Sequence, residues 1–131
     1  MNEQTILVIN QCAQASYAGT LSFGEVVGRL AQAGVESYFA DYRAQLTTYY
    51  SPAGDTYSIK LNIQPQSVVK EFSKDDIQAA IRGAQSGEVK YPEFLQRSSA
   101  AGCCGYWAWI AGRHVTYFGR KGEQHIERFP N

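Results

Sequence analysis

The chain changes from a helical spacing of apolar residues to a strand-like alternation, and it does so twice. In the first half, four apolar residues follow the i, i+3, i+4, i+7 spacing of one buried helical stripe: Phe23, Val26, Val27 and Leu30. In the second half, the same spacing is weaker at its last position: Tyr91, Phe94, Leu95 and Ser98. Gly34 and Gly102 follow these stripes, and we predict that each ends a helix in the left-handed conformation.

Another helix is predicted before each of these stripes. It covers residues 5–17 in the first half and residues 75–85 in the second half. The later helix follows Ser73, with Asp75 and Asp76 in its first turn, which is similar to a capping box. Each half of the chain therefore begins with two helices.

Three strands are predicted after each helix pair. Their ranges are 35–42, 45–50 and 55–61 in the first half, and 103–110, 113–118 and 123–129 in the second. We expect two-residue hairpin loops at 43–44 and 111–112, and type I turns at 51–54 and 119–122. Residues 62–72 connect the halves, with 67–72 as an additional edge strand and Pro65 at its entrance.

An offset of 68 residues aligns 5–61 with 73–129 without a gap. The matching pairs include Glu25 with Glu93, Arg29 with Arg97, Gly34 with Gly102, Tyr38 with Tyr106, Thr48 with Thr116, Tyr49 with Tyr117 and Gly54 with Gly122. Glycines, aromatics and apolar periodicity that coincide in this way indicate an internal duplication. We predict an α+β fold in which an αα-βββ unit is repeated, with an antiparallel sheet packed on helices around a pseudo-twofold axis. Residues 1–131 would form a single domain.

One face of the predicted sheet is aromatic and apolar in both repeats. The hairpin register places Tyr38 opposite Tyr49, and Tyr106 opposite Tyr117. The other residues of this face are mostly apolar: Ala40, Tyr42, Thr47, Ala108, Ile110 and Val115. We predict that this inner face is covered by the helices, where each buried large side chain contributes roughly 1.5–3 kcal/mol.

The opposite, outer face carries both tryptophans. The candidate binding residues on it are Phe39, Tyr50, Trp107, Trp109, His114 and Phe118. Strict alternation also assigns Asp41, Leu46, Thr48, Cys103 and Thr116 to this face. An apolar patch on a free sheet face marks an interface or a ligand site. Alternatively, the strands curl or split so that each half covers the other's outer face, and a one-residue slip would exchange the two faces.

Charge and cysteine content restrict the partners and the compartment. Lys and Arg number 12, as do Asp and Glu, so the formal net charge is zero, which disfavours a nucleic-acid partner. The N-terminus lacks the basic start and the long apolar run of a signal peptide or membrane span. Its three cysteines, two of them adjacent, fit free thiols in a reducing compartment. We expect a cytoplasmic protein without membrane contact.

Residues capable of catalysis are few and do not form a known motif. His114 and His125 are the only histidines, with Glu123 and Glu127 near them in the sequence. Their spacing does not match a zinc motif, so we expect no metal and no cofactor. Cys103 follows the end of a helix, where the dipole disfavours a thiolate. The enzyme hypothesis uses His114 together with Glu127 or Cys103.

The repeated segment resembles the YbcV-like family of bacterial and prophage-encoded proteins, whose members are often labelled phage envelope proteins. The first repeat carries the resemblance at residues 33–38, Thr48-Tyr49-Tyr50 and Gly54, and the second at residues 100–102, Thr116-Tyr117-Phe118 and Gly122. It implies no activity and no catalytic residues. The chain departs from the family pattern at Cys103-Cys104-Gly105.

The absence of a convergent catalytic set favours a non-enzymatic binding or interaction module that acts through the outer aromatic residues. Its partner would be a second copy of the chain or another protein, and a small ligand is also compatible. A small enzyme is the second hypothesis. A prophage-encoded virion or host-interaction protein is the third.

Overall fold

The computed structural model describes residues 1–64 and 67–130. Within these residues the chain forms four helices: α1 (Glu3–Ala18), α2 (Phe23–Gln32), α3 (Lys74–Gln85) and α4 (Tyr91–Ala100). It also forms six strands: β1 (Ser37–Asp41), β2 (Leu46–Tyr50), β3 (Thr56–Lys60), β4 (Cys103–Trp109), β5 (His114–Gly119) and β6 (Gln124–Arg128). The α+β class is confirmed, and the order of elements fits a duplicated αα-βββ unit.

Local sequence signals account for the ends of the helices. Ser22 and Glu25 form a complete capping box at the start of α2, and such a cap contributes about 1 kcal/mol. The Ser73 hydroxyl accepts a hydrogen bond from an amide in the first turn of α3. Gly34 and Gly102 have φ angles of 91° and 92°, which confirms the predicted left-handed residues after α2 and α4.

The six strands form one continuous antiparallel sheet in the order β3-β2-β1-β4-β5-β6. The two repeats therefore meet at its centre, where β1 pairs with β4, as a pseudo-twofold arrangement requires. The alternative in which the strands split and cover each other is wrong, because this central pairing keeps both halves in a single layer.

All four helices pack on the predicted inner face. Tyr38 lies directly opposite Tyr49, and Tyr106 directly opposite Tyr117, as the hairpin register predicted. All four tyrosines are buried. Phe94 of α4 makes edge contacts with Tyr106 and Tyr117, with ring centroids 6.4 and 6.2 Å apart. The core thus lies between the helices and these rings.

The prediction that Cys103 lies on the outer face is wrong. A β-bulge between Cys103 and Gly105 interrupts the alternation of side chains at the start of β4. Cys103 consequently points into the core, is fully buried, and donates a hydrogen bond to the Gly105 carbonyl at 3.2 Å. A Cβ atom at Gly105 would lie 2.6 Å from the Ala40 carbonyl oxygen, so the bulge requires glycine there.

The predicted edge strand at 67–72 does not form. The Val69 amide donates to the Ser99 carbonyl, and the Ser73 amide donates to the Ala101 carbonyl, so this segment is bonded to the end of α4. Val68 is buried against the core. Carbonyls at a helix terminus lack amide partners within the helix. The connector supplies an amide to each of these two, and the Ser99 carbonyl also accepts from the Gly102 amide. Pro65 lies outside the described residues.

The hairpin loops are longer than predicted, although the register is the same. The ladders end at Asp41 with Leu46, and at Trp109 with His114, which leaves four-residue loops. Gln45 has a φ angle of 57° and Arg113 one of 60°. Two non-glycine residues therefore adopt the left-handed conformation at equivalent positions, which the composition of the loops did not indicate.

Candidate functional site

The outer face of the sheet, on the side away from the helices, brings all six predicted binding residues together. They come from four neighbouring strands: Phe39 from β1, Tyr50 from β2, Trp107 and Trp109 from β4, and His114 and Phe118 from β5. Each side chain is partly exposed. We call these six residues the outer aromatic cluster.

Trp107 is the centre of this cluster. Its ring is parallel to that of Trp109, with centroids 4.5 Å apart, and it stacks on Tyr50 at 5.6 Å. Phe39 lies 5.0 Å from Trp107 on the neighbouring strand and 6.3 Å from Phe118. These distances lie within the usual range for aromatic pairs. The rings therefore form a connected apolar surface.

Two polar groups within the cluster have defined partners. The Trp109 Nε1–H donates to the Thr116 hydroxyl at 3.2 Å. The His114 Nδ1–H donates to the Gly112 carbonyl at 3.1 Å, which leaves Nε2 for other partners. Trp107 Nε1 is buried and has no hydrogen-bond partner among the described residues. Ser37 and Thr116 also lie on this face and are buried. Ser37 is the cross-strand neighbour of Tyr50 and Trp109, and Thr116 that of Trp107.

Charged residues of the outer face lie at its margins. The strand register places Lys60 and Arg128 at diagonally opposite corners, and they are equivalent residues of the two repeats. Asp41 lies at the end of β1, where its carboxylate accepts a hydrogen bond from the Ala44 amide at 3.0 Å. Aromatic residues in the middle and charges at the rim are typical of a protein–protein interface.

The catalytic pairings of the enzyme hypothesis are not assembled. His114 lies on the outer face, whereas Glu127 pairs with Val115 and points to the inner side of β6. Cys103 is fully buried in the core, and burial raises the pKa of its thiol to about 12. The prediction that His114 converges with Glu127 or Cys103 is therefore wrong, because alternation separates the first pair and the bulge separates the second.

The structure instead groups His125, Glu127 and Arg82. Glu127 accepts a hydrogen bond from the Arg82 guanidinium at 2.7 Å, and its other oxygen lies 3.4 Å from His125 Nε2. His125 and Glu127 share one face because they are two residues apart on β6. That spacing was visible in the sequence, but the arginine comes from α3, 45 residues away.

Sequence reasoning also missed a cavity of about 410 Å³ on the inner side. It lies between the helices and the sheet and is lined by both repeats, including Tyr49 of β2 and Tyr117 of β5. The tyrosine pattern predicts an inner face covered by the helices, but periodicity does not show whether the facing side chains fill the space between the two layers.

The profile of a family described as "Protein of unknown function (DUF1398)" matches residues 52–127, which is more than half of the chain. The chain belongs to the DUF1398 family. The matched part of this DUF1398 protein runs from the turn before β3 to β6, so it contains the whole second repeat except its last residues. A search of curated proteins gives no match.

No helix in the described part of the chain combines the length and apolar character needed to cross a membrane.

Proposed function

We propose that this protein is a non-enzymatic interaction module whose outer face binds a second molecule of the same chain. The observation that carries the proposal is the outer aromatic cluster, a connected set of rings on the sheet face opposite the helices. Burial of such a surface is the main driving force of protein association. Two sheets pack well face to face at about 10 Å.

The charge distribution supports a second molecule as the occupant. In a face-to-face dimer whose twofold axis runs along the strands, β1 of one molecule covers β4 of the other. Asp41 then faces Gly105, Lys60 faces Gln124, and Arg128 faces Thr56, according to the register. No two like charges meet in this arrangement, and the aromatic residues face each other at the centre.

The size of the face sets the strength of the expected association. Six strands at a spacing of about 4.8 Å and a length of about five residues cover roughly 500 Å² per molecule. A standard specific interface covers about 800 Å² per partner. We therefore expect a weak dimer that dissociates in the micromolar range.

The other hypotheses have less support. An enzyme that uses His114 lacks a convergent partner for this histidine among the described residues, and a nucleic-acid partner is disfavoured by a net charge of zero. Membership of a YbcV-like, prophage-encoded group, with a virion or host-interaction role, stays a prediction. Co-purification of the native protein with phage particles tests it. The cytoplasmic location also stays a prediction, which fractionation of cells tests.

Sedimentation velocity across a wide concentration range tests the proposed self-association. Ile126 lies on the outer face and is 52% exposed, so Ile126→Glu should leave the fold intact and place a charge in the interface. Leu7 of α1 is 50% exposed and lies on the helical side, so Leu7→Glu is the matched control. We expect the wild type and Leu7→Glu to dimerise and Ile126→Glu to stay monomeric. A monomeric wild type at every concentration, or unchanged dimerisation of Ile126→Glu, would contradict the proposal.

A further inference from the structure

The cavity between the two repeats has the features of a ligand site that is separate from the outer aromatic cluster. It lies on the other side of the sheet, under the C-terminal part of α1 and the N-terminal part of α4. Its volume of about 410 Å³ would hold roughly a dozen water molecules. Small-molecule sites in proteins commonly occupy about 300–1,000 Å³. The cavity is thus large enough for a compact organic molecule.

The floor of the cavity consists of two tyrosine pairs related by the duplication. Tyr38 stacks on Tyr49 with ring centroids 5.2 Å apart, and Tyr106 lies 5.8 Å from Tyr117. All four residues line the cavity. Tyr17 and Tyr91, whose rings are 5.5 Å apart, line it from the helical side. Aromatic walls on both sides favour a ligand with flat rings.

Two of the four hydroxyl groups in this floor lack a partner among the described residues. Tyr106 shares a hydrogen bond of 2.7 Å with Tyr91, and the Tyr38 hydroxyl interacts with that of Tyr106. The hydroxyls of Tyr49 and Tyr117 have no such contact in the described part of the chain. Neither oxygen is sealed within protein atoms, which leaves both reachable from the cavity. Burial raises the pKa of both tyrosines far above its ordinary value, so they remain protonated and can donate hydrogen bonds.

The cavity offers little attraction to a charged molecule. Glu127 lines it, but its carboxylate is paired with Arg82 at 2.7 Å. Glu25 and Lys90 of the lining are exposed to solvent and so belong to the rim. Arg128 borders the cavity at the end of β6, but the strand alternation assigns its side chain to the outer face. A charged group that entered would lose its hydration without gaining an unpaired counter-ion. Neutral ligands are therefore favoured.

We propose that this cavity binds an uncharged molecule of two or three aromatic rings with hydrogen-bond-accepting oxygens, which the hydroxyls of Tyr49 and Tyr117 recognise. The two donors come from β2 and β5, which are three strand spacings apart, or about 14 Å. This separation matches a molecule with acceptor oxygens in different parts of its ring system. The site does not depend on dimerisation, because a single chain supplies the whole lining.

Isothermal titration with two probes of similar size tests the site. 4,4′-Dimethoxybiphenyl is uncharged and carries one ether oxygen at each end of its two rings, whereas 4,4′-diethylbiphenyl has the same rings and a similar length and no oxygen. We expect both to bind the wild type. Tyr49→Phe and Tyr117→Phe each keep the ring, remove one donor, and should weaken the binding of 4,4′-dimethoxybiphenyl about fivefold to tenfold. Neither variant should change the binding of 4,4′-diethylbiphenyl.

A blocking variant locates the probe. Ala84 of α3 lines the cavity, so Ala84→Phe should abolish the binding of both compounds. The unfolding temperature of each variant without ligand shows whether it has folded. The proposal is overturned if 4,4′-dimethoxybiphenyl does not bind the wild type up to its solubility limit, or if it binds the folded Ala84→Phe variant equally well. It is also overturned if the tyrosine variants bind 4,4′-dimethoxybiphenyl as the wild type does, or if 4′-methoxybiphenyl-4-carboxylate binds more tightly than 4,4′-dimethoxybiphenyl.

Discussion

Phe39 and Trp107 are cross-strand partners in the central strand pair, and they are also equivalent residues of the two repeats. They face each other across β1 and β4, with ring centroids 5.0 Å apart, and they are separated by the repeat offset of 68 residues. A pseudo-twofold axis perpendicular to the sheet must pass between them. The outer aromatic cluster is thus built around the point where the repeats meet.

The unequal contacts of these two residues predict unequal effects of mutation. Trp107 contacts three rings of the cluster, whereas Phe39 contacts two. We expect Trp107→Ala to lower the free energy of unfolding by about 2–3 kcal/mol and Phe39→Ala by about 1–2 kcal/mol, because each aromatic contact adds to the burial of the ring. Urea denaturation measures both. Equal losses, or a larger loss for Phe39→Ala, would contradict a central role for Trp107.

Gly34 and Gly102 form a matched pair for a second prediction. Both have φ angles near 90° at equivalent positions, but a Cβ atom at Gly34 would meet open space. A Cβ atom at Gly102 would lie 2.1 Å from the Glu71 carbonyl oxygen of the connector. We expect Gly34→Ala to lower the free energy of unfolding by about 1–2 kcal/mol, because alanine is strained in this backbone conformation. Gly102→Ala should lower it by at least about 2 kcal/mol more, because the added Cβ atom also collides with the connector. Thermal or urea unfolding of the two variants checks this; similar losses would mean that the connector does not pack there.

Thiol chemistry provides a third prediction, which bears on the enzyme hypothesis. Cys12 and Cys103 are buried, and Cys104 is partly exposed. Burial raises the pKa of Cys104, and Arg43 offsets only part of this effect. We expect iodoacetamide to alkylate Cys104 alone in the folded protein, and more slowly than a free cysteine, as mass spectrometry would show. Rapid alkylation of Cys103 would instead support a nucleophilic role.

The buried thiol also predicts a loss of stability at alkaline pH. Burial raises the pKa of Cys103 from its ordinary value of 9.0 to about 12 in the folded state. Between these values the unfolded chain has lost a proton that the folded chain keeps, so unfolding becomes easier as the pH rises. The stabilisation is complete below pH 9 and is lost between about pH 9 and 12. Buried tyrosines such as Tyr42 act in the same direction, starting near pH 10.

Urea titrations at several pH values measure this dependence. Cys103→Ala should lower the free energy of unfolding at every pH, because it removes packing. It should also make the fall of the free energy of unfolding with pH less steep between pH 9 and 10, where the tyrosines do not yet contribute. An unchanged slope in this variant would show that the Cys103 thiol does not titrate as its burial requires.

The features of the fold that could be predicted from the sequence are those set by residues close together in the chain. The helical stripes, the two glycines after α2 and α4, and the pairing of Tyr38 with Tyr49 were all recovered, because each depends on residues close together in the sequence. The position of Cys103 was predicted wrongly, because the bulge depends on a close approach of Gly105 to Ala40, 65 residues earlier in the chain. The prediction of an edge strand in the connector was wrong for the same reason, because the amides of this segment donate hydrogen bonds to carbonyls at the end of α4.

In the candidate site, too, local sequence predicts some features, and packing between distant residues decides the others. Alternation along β4 and β5 correctly placed Trp107 and Trp109 on the same face as Phe118. The pairing of Arg82 with Glu127 and the cavity beneath the helices depend on how the helical layer is placed over the sheet. That placement is set by side-chain packing over the whole molecule, which periodicity does not describe.

Iodide quenching of tryptophan emission, measured over a wide range of protein concentrations, tests the central claim most directly. The chain has two tryptophans, and both belong to the outer aromatic cluster. Self-association through this face predicts strong quenching in dilute wild-type protein, and weaker quenching with a shift of emission to the blue as the concentration rises. Ile126→Glu should keep the dilute behaviour at all concentrations. Emission that is protected even in the most dilute wild-type protein, or quenching that does not change with concentration, would contradict the proposed interface.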